Sequence, residues 1–350
     1  VGRKPTLRDV SVASGLSTYT VSRALSDGDG VSAASREAVL KAAREVGYVP
    51  NAAAQQLRKN TRSSVAVITA STSNHYYLEL MRGIDRTLRR SGRTTVVADI
   101  AAEGRYTTAL EDATVQHLIQ SRAAGVISTL TLRGSNLDLL HDWDIPVVFV
   151  DAAPPEEAGL VPSITTDNRS ASQAVGDHLA EHGYGQWLLL AYPSRWSTRV
   201  PREAGLRETA RRHGAELTVV ESENDVDSAV RALEAHLDRS GPAPRALVAG
   251  NNPLLQGALR VLRSRGLRVP DDVAVIAFDE FPWAPLLDPP LTVLDEHSET
   301  IGELAAQTLT RLIDAQIEAE RAGRPVTPAY LPDDRREVAF DLVVRKSCGC

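Results

Sequence analysis

Along residues 6–25, TLRDVSVASGLSTYTVSRAL, apolar positions recur at helical rather than strand spacing. Leu7, Val10 and Leu16 mark the inner side of a first short helix, and Thr6 with Asp9 three residues on predicts its capping box. The run Ser14-Gly15-Leu16-Ser17 predicts a break, because glycine takes backbone angles that other residues resist and Ser17 can cap a second helix. On that helix Val21 and Leu25 face inward, leaving Thr18, Tyr19, Ser22 and Arg23 on the outer, N-terminal side. A third helix is predicted from Ser32 to Val46, with Val39, Ala43 and Val46 on one face and Gly47 as its stop. Together they form a helix-turn-helix layout, whose second helix presents its outer side chains to the DNA major groove.

From Ser64 the period changes to short β-branched runs separated by helical stretches. VAVIT, TVVADI, GVIST and PVVFVD form one set, with helices near Tyr76 to Arg90 and Thr107 to Ser121. A second set opens at Ser163 with SITTD and continues through a helix near Ala171 to Glu181, WLLLAY, a helix near Glu203 to Arg212, LTVVE, ALVAG, a helix near Leu254 to Arg265, and VAVIAFD. This rhythm predicts an α/β body of two lobes, each a parallel Rossmann-like sheet covered by helices on both faces, with a cleft between them. In such sheets ligands collect beyond the carboxyl ends of the strands. Asp151 follows PVVFV, Asn251 follows ALVAG and Asp279 follows VAVIAF, while Arg202 stands in an RxxG element at a helix start. Tyr76 and Tyr77 are placed to close one wall, and Trp196 and Trp283 offer flat faces for a sugar ring or heterocycle.

Charge divides the chain in the same way. Residues 1–64 hold ten Lys or Arg against five Asp or Glu, a net of +5; the totals of 39 and 45 leave 29 against 40, or −11, for the rest. A basic head on an acidic body places the whole of the DNA affinity in the head and the segment after it. The length of 350 residues is enough for two or three domains. No apolar run of membrane-spanning length occurs, the start VGRKPTLRDV carries no signal-peptide core, and a cytoplasmic location is expected. Cys348 and Cys350 are too few and too closely spaced for a disulfide framework, and His178 and His182, one helical turn apart, lack the glutamate of a zinc-protease motif. No metal or cofactor is expected. Nor is an enzyme, since there is no G-x-G-x-x-G after the first strand, no P-loop and no G-x-S-x-G elbow.

The segments TLRDVSVASGLSTYTVSRAL and VGYVPNAAAQQLR, at their spacing, resemble the lactose/galactose repressor family of bacterial transcription factors, and the likeness extends over nearly all of the chain. It implies a regulator, expected to be a repressor, that binds a palindromic operator in double-stranded DNA as a homodimer and answers to a small-molecule effector. By resemblance Thr18, Tyr19, Ser22 and Arg23 would touch base edges, Arg23 bidentately on guanine, while Thr6, Ser17, Thr20 and Ser32 would hold phosphates. A hinge helix from Asn51 to Leu57, too short to be stable alone, would fold on operator DNA and insert Leu57, with Ala54 beside it, into the minor groove. The expected domains are a headpiece over 1–49, hinge and linker over 50–63, and an effector-binding and dimerisation domain over 64–350. That last domain would be of the periplasmic-binding-protein type 1 architecture, its first lobe about 64–160 and 292–322 and its second about 163–290 and 328–350. The chain would cross between lobes near Asp151 to Thr165, Pro290 to Leu294 and Ala322 to Pro328, a helix from about Ser298 to Arg321 would return to the first lobe, and Tyr330 and Val338 to Val344 would end in the second.

The resemblance also implies that Asp151, Arg202, Asn251 and Asp279 divide the effector's hydroxyl and ring atoms. Glu296 stands where the family often has glutamine, Asn252 where it usually has aspartate, and Leu206 where it has an aromatic. A more acidic cleft follows, and the effector expected is a polyhydroxylated neutral or cationic molecule, a sugar or oligosaccharide, with a purine or other metabolite as the alternative. An exported sugar-binding protein would share the body but not the headpiece.

Overall fold

Thr6 opens the first helix through its partner: its backbone N–H and its hydroxyl both donate to the Asp9 carboxylate, each at 2.7 Å. Helix α1 runs Leu7–Ser14 and ends at Gly15, whose φ of +69° is the left-handed geometry that suits glycine. Ser17 then caps α2, Thr18–Ala24, by accepting from the Thr20 N–H at 3.1 Å, and Ser32 caps α3, Ala33–Val46, by accepting from Ser35 at the same distance. Val10, Val21, Ala24, Val39, Ala42 and Ala43 fill the centre of this three-helix unit, with Leu7, Leu16, Leu25 and Val46 packed around them. The computed structural model describes residues 3–25, 30–49, 63–69, 74–100, 106–240, 243–326 and 329–350. Asn51, Ala54 and Leu57, expected in the hinge, lie outside the described residues.

The chain divides into two compact units, Val1–Ser63 and Ser64–Cys350. In the second unit the order is β1 (Ser64–Thr69), α4 (His75–Arg90), β2 (Thr94–Asp99), α5 (Thr108–Gln120), β3 (Gly125–Ser128), α6 (Gly134–Asp142), β4 (Val147–Val150) and β5 (Ser163–Thr166). There follow α7 (Asn168–Glu181), β6 (Gln186–Ala191), α8 (Arg199–His213), β7 (Glu216–Glu221), α9 (Val226–Ser240), β8 (Ala246–Ala249), α10 (Asn252–Ser264) and β9 (Ala274–Phe278). The chain closes with β10 (Thr292–Asp295), α11 (Ser298–Arg321), β11 (Arg335–Val338) and β12 (Asp341–Val343). One sheet has the order β11-β5-β4-β3-β1-β2 and the other β12-β10-β9-β8-β6-β7, with β12 the antiparallel strand. The inner strands β3, β4, β8 and β9 are buried along their whole length, as strands covered on both faces must be.

Four placements differ from the sequence reading. β5, expected to open the second lobe, extends the first sheet beside β4, so the chain crosses after Thr166. β10 pairs with β9 in the second sheet, so the return comes after Asp295 and only α11 belongs to the first lobe. Tyr330 packs in the first-lobe core, and Val338 ends β11, which pairs with β5; the last crossing therefore lies between Val338 and Asp341 rather than near Ala322 to Pro328. For β5 and β10 the physical reason is that a four-residue β-branched run has the same pattern in either sheet, and its address is set by neighbours distant in sequence. Helices α6 and α9 were not anticipated.

Among the described residues, glycines let helices cross with their backbones in contact. A Cβ on Gly83 of α4 would lie 2.1 Å from the Glu299 carbonyl oxygen, and one on Gly302 of α11 would lie 2.2 Å from that of Leu80. Gly205 of α8 stands in the same relation to Arg169 of α7, at 2.3 Å. These crossings hold α4 and α8, which begin at the cleft, against their lobes.

Candidate functional site

The residues expected to face DNA stand in two settings on the three-helix unit. Thr18 and Tyr19 are exposed, Tyr19 by 68%, while Ser22 and Arg23 are half-buried on the same helix. The Arg23 guanidinium lies over the Tyr19 ring at 5.6 Å and donates to its hydroxyl at 2.9 Å, an i,i+4 pair that holds the arginine along the outer face of α2. Thr6, Ser17 and Ser32 stand at the three helix N-termini, and Thr20 shares a hydrogen bond with Ser17 at 2.9 Å. Hydroxyls and free N–H groups at helix starts are donors of the kind that grip phosphate.

In the second unit the carboxyl ends of the strands converge on a small cavity. Seven of the nine residues singled out in the sequence line it: Tyr76, Tyr77, Asp151, Trp196, Arg202, Asn251 and Asp279. Asp151 and Asp279 directly follow β4 and β9, and both sit at positive φ, +50° and +73°, a region non-glycine residues seldom occupy and aspartate tolerates better than most. Such a turn lifts each carboxylate off its strand end toward the space between the sheets. Glu296 differs from the expectation: it is fully buried behind Arg202, pairs with that guanidinium, and is not part of the cavity wall. Trp283 also stands elsewhere, edge-on to His75 and beside Phe281.

Arg202 is the anchor of the site. Its Nε donates to Asn168 Oδ1 at 2.6 Å, one terminal nitrogen donates to the Gly250 carbonyl at 2.7 Å, the other pairs with Glu296, and the guanidinium lies 4.2 Å over the Phe278 ring. Burial opposes this charge, but Glu296, Tyr192, Asp151 and Asp279 outweigh it and keep the arginine protonated. The carboxyls are pushed the other way. Burial lifts Asp151 to about 7, with Arg202 pulling down and Asp279 pushing up; burial likewise raises Glu296 well above its ordinary range. Burial also holds the Tyr76 and Tyr77 phenols protonated, so both remain donors. The Trp196 Nε1–H is buried with no hydrogen-bond partner, and the residue belongs to the cavity lining.

Of the residues that bridge the two lobes, sequence reasoning named Asp279 and Asn252 and missed Asn74, Ala153 and Ser197. Asn74 caps α4 through its Oδ1 at Tyr76 N, donates from Nδ2 to Asp279 at 3.3 Å, and its Oδ1 accepts from Asn252 Nδ2 at 3.3 Å. The Asp279 carboxylate also accepts from the Asn252 N–H at 3.2 Å, and the Ala153 N–H donates to Ser197 Oγ at 3.0 Å. Thr129, Thr131, Tyr192 and Asn224 complete the wall, each just after a strand. The strand-end rule reaches them if applied to every strand rather than to the acidic ends alone.

Residues 62–331 match the family of periplasmic binding proteins and sugar-binding domains of the LacI family, and residues 6–51 match the bacterial regulatory proteins of the lacI family. The transcriptional repressor CytR of Escherichia coli (strain K12) is 28% identical over 91% of both chains. The crystal structure of the lac repressor dimer bound to operator and the anti-inducer ONPF superposes with a TM-score of 0.79 at 25% identity, covering 99% of each chain. The complex of the regulator CelR with cellobiose superposes at 0.67 and 28% identity, over 98% of this chain and 100% of that one. With a family model spanning most of its length and a second on its three-helix unit, this chain belongs to the lacI family of DNA-binding bacterial transcriptional regulators.

Proposed function

We propose that the chain represses transcription as a homodimer on a palindromic operator and that its effector is a saccharide held in the interlobe cavity. The observation that carries this reading is the lining itself: two strand-end carboxylates, an anchored arginine, asparagines, two tyrosine hydroxyls and a tryptophan around one cavity. A sugar is a ring of hydroxyls that both donate and accept, with an apolar face. Carboxylates take pairs of hydroxyl protons, Arg202 and Asn251 donate to ring and hydroxyl oxygens, and Trp196 supplies a stacking face. Thr18, Tyr19, Ser22 and Arg23 would read base edges, with Thr6, Ser17, Thr20 and Ser32 on phosphates, and Asn51, Ala54 and Leu57 would act at the hinge. Val96 and Val97, 48% and 46% exposed on the edge strand β2, offer an apolar dimer face.

Control follows from linkage. A ligand touching both lobes favours the arrangement that brings Asn74, Asn252 and Asp279 together, and a coupling of about 1–3 kcal/mol suffices to change DNA affinity several-fold or more. Calorimetry of the full chain against mono- and disaccharides, repeated on Asp279→Ala, tests the reading. One sugar should bind in the micromolar range, lose that binding in the variant, and shift the affinity for a fragment of the protein's own promoter region. Absence of binding to every saccharide at millimolar concentration overturns the assignment of the effector.

A further inference from the structure

Far from the cavity, the last turn of α7 and the end of the chain bring together two histidines and two cysteines that the regulatory reading does not use. His178 and His182 stand one turn apart at the C-terminal end of α7, and their rings meet edge-to-face at 4.7 Å. Cys350 Sγ lies 2.9 Å from His182 Nε2, 3.7 Å from His178 Nε2 and 3.1 Å from Cys348 Sγ. All four ligating atoms fall within 4.8 Å of one another, and both thiols are free.

We propose that His178, His182, Cys348 and Cys350 form a tetrahedral Cys2His2 site for zinc(II). Zinc bonds of about 2.3 Å to sulfur and 2.0–2.1 Å to nitrogen set tetrahedral edges of about 3.8 Å between sulfurs and about 3.5 Å between sulfur and nitrogen. The three separations measured from Cys350 Sγ differ from those edges by about 0.2–0.7 Å, and the 4.8 Å that bounds the whole set requires the cluster to contract by about 1 Å around the ion, a movement of side-chain scale. Zinc uptake releases the two thiol protons to solvent and leaves two thiolates balancing the dication. The C-terminal end of a helix, with its partial negative charge, favours a cation there.

The tail is built to hold this geometry. Ser347 Oγ donates to the Val275 carbonyl at 2.6 Å and accepts from the Thr292 N–H at 2.8 Å, stitching the tail to strands β9 and β10 of the second sheet. Thr292 Oγ1 donates to Cys348 Sγ at 3.1 Å, an outer contact of the kind that orients a metal ligand, and Tyr184 Oη donates to the Cys348 carbonyl at 3.0 Å. Between the cysteines Gly349 has φ +94°, and a Cβ there would lie 2.5 Å from Tyr184 Oη, so this position turns Cys350 back toward the histidines only as glycine. Cys348 is buried while Cys350 and His182 are exposed, which leaves a path for the ion.

The test uses the full chain without a polyhistidine tag, purified with a reductant. After dialysis it should retain about one zinc per chain, and zinc removal followed by cobalt(II) addition should produce a thiolate-to-cobalt charge-transfer band and the strong visible absorption of a tetrahedral site. Cys350→Ser and His182→Ala, both at exposed positions, should each abolish the cobalt spectrum, while His117→Ala on α5 should leave it intact. Zinc content far below one per chain with no cobalt spectrum overturns the proposal. So does a spectrum that survives in both ligand variants, or a Cys348–Cys350 disulfide as the dominant form in reductant.

Discussion

At the residue scale the two aspartates of the cleft have different work. Asp279 is already committed, accepting from Asn74 and Asn252, whereas Asp151 is held near the neutral range by burial and by Asp279 and keeps one face on the cavity. An effector whose hydroxyls donate to Asp151 favours its ionised form, so binding expels a proton below about pH 7. Affinity should rise by up to roughly tenfold per pH unit as pH climbs toward 7 and level off above it. In Asp151→Asn this rise should shrink sharply in calorimetric titrations across pH 5.5–8.5; an unchanged profile assigns the proton elsewhere. Folding without ligand is linked in the opposite sense. A carboxyl whose folded value lies above its ordinary 3.8 stabilises the folded state while protonated, and that contribution fades as pH rises through about 7. Asp151, Asn251 and Asp279 were legible because a polar residue straight after an apolar run is visible in a linear string. Asn74 was not, because its importance comes from a contact with Asp279 that is 205 residues distant in sequence.

At the element scale the outer face of α2 and the helix crossings make separate demands. Arg23, laid along α2 by Tyr19, is the side chain with the reach and fork for a guanine edge. Arg23→Ala should weaken specific operator binding by about 1–3 kcal/mol in fluorescence anisotropy while leaving sugar affinity unchanged, and an unaltered operator affinity removes α2 from the groove. In the body, Gly302→Ala forces a methyl into the α4–α11 contact, where the obstacle is a backbone carbonyl that no rotamer change can move. Overpacking of this kind costs about 1–3 kcal/mol, to be read as a lowered urea midpoint, and a neutral result contradicts the crossing as described. Long amphipathic helices such as α4 and α10 were visible from their period. α6 and α9 were passed over, and β5 and β10 were assigned to the wrong lobe, because pattern reports which face of an element is apolar and not which sheet it meets.

At the scale of the whole molecule, a head of net +5 and a body of net −11 cannot share the task of binding DNA. Each head offers few phosphate contacts, and the affinity needed for a specific site has to come from two heads on one duplex, which makes assembly a precondition for repression. Strand β2 is the exposed edge of the first sheet, and exposed valines on an unpaired edge are costly unless something covers them. Val97→Asp places a charge on that edge without touching the cavity or the headpiece. Sedimentation velocity should then show a monomer at concentrations where the parent is a dimer, sugar binding should persist, and operator affinity should fall by at least a hundredfold, with a shallower salt dependence because one head's phosphate contacts are lost. A variant that still sediments as a dimer moves the interface off β2; one that becomes a monomer yet keeps full operator affinity removes the need for two heads.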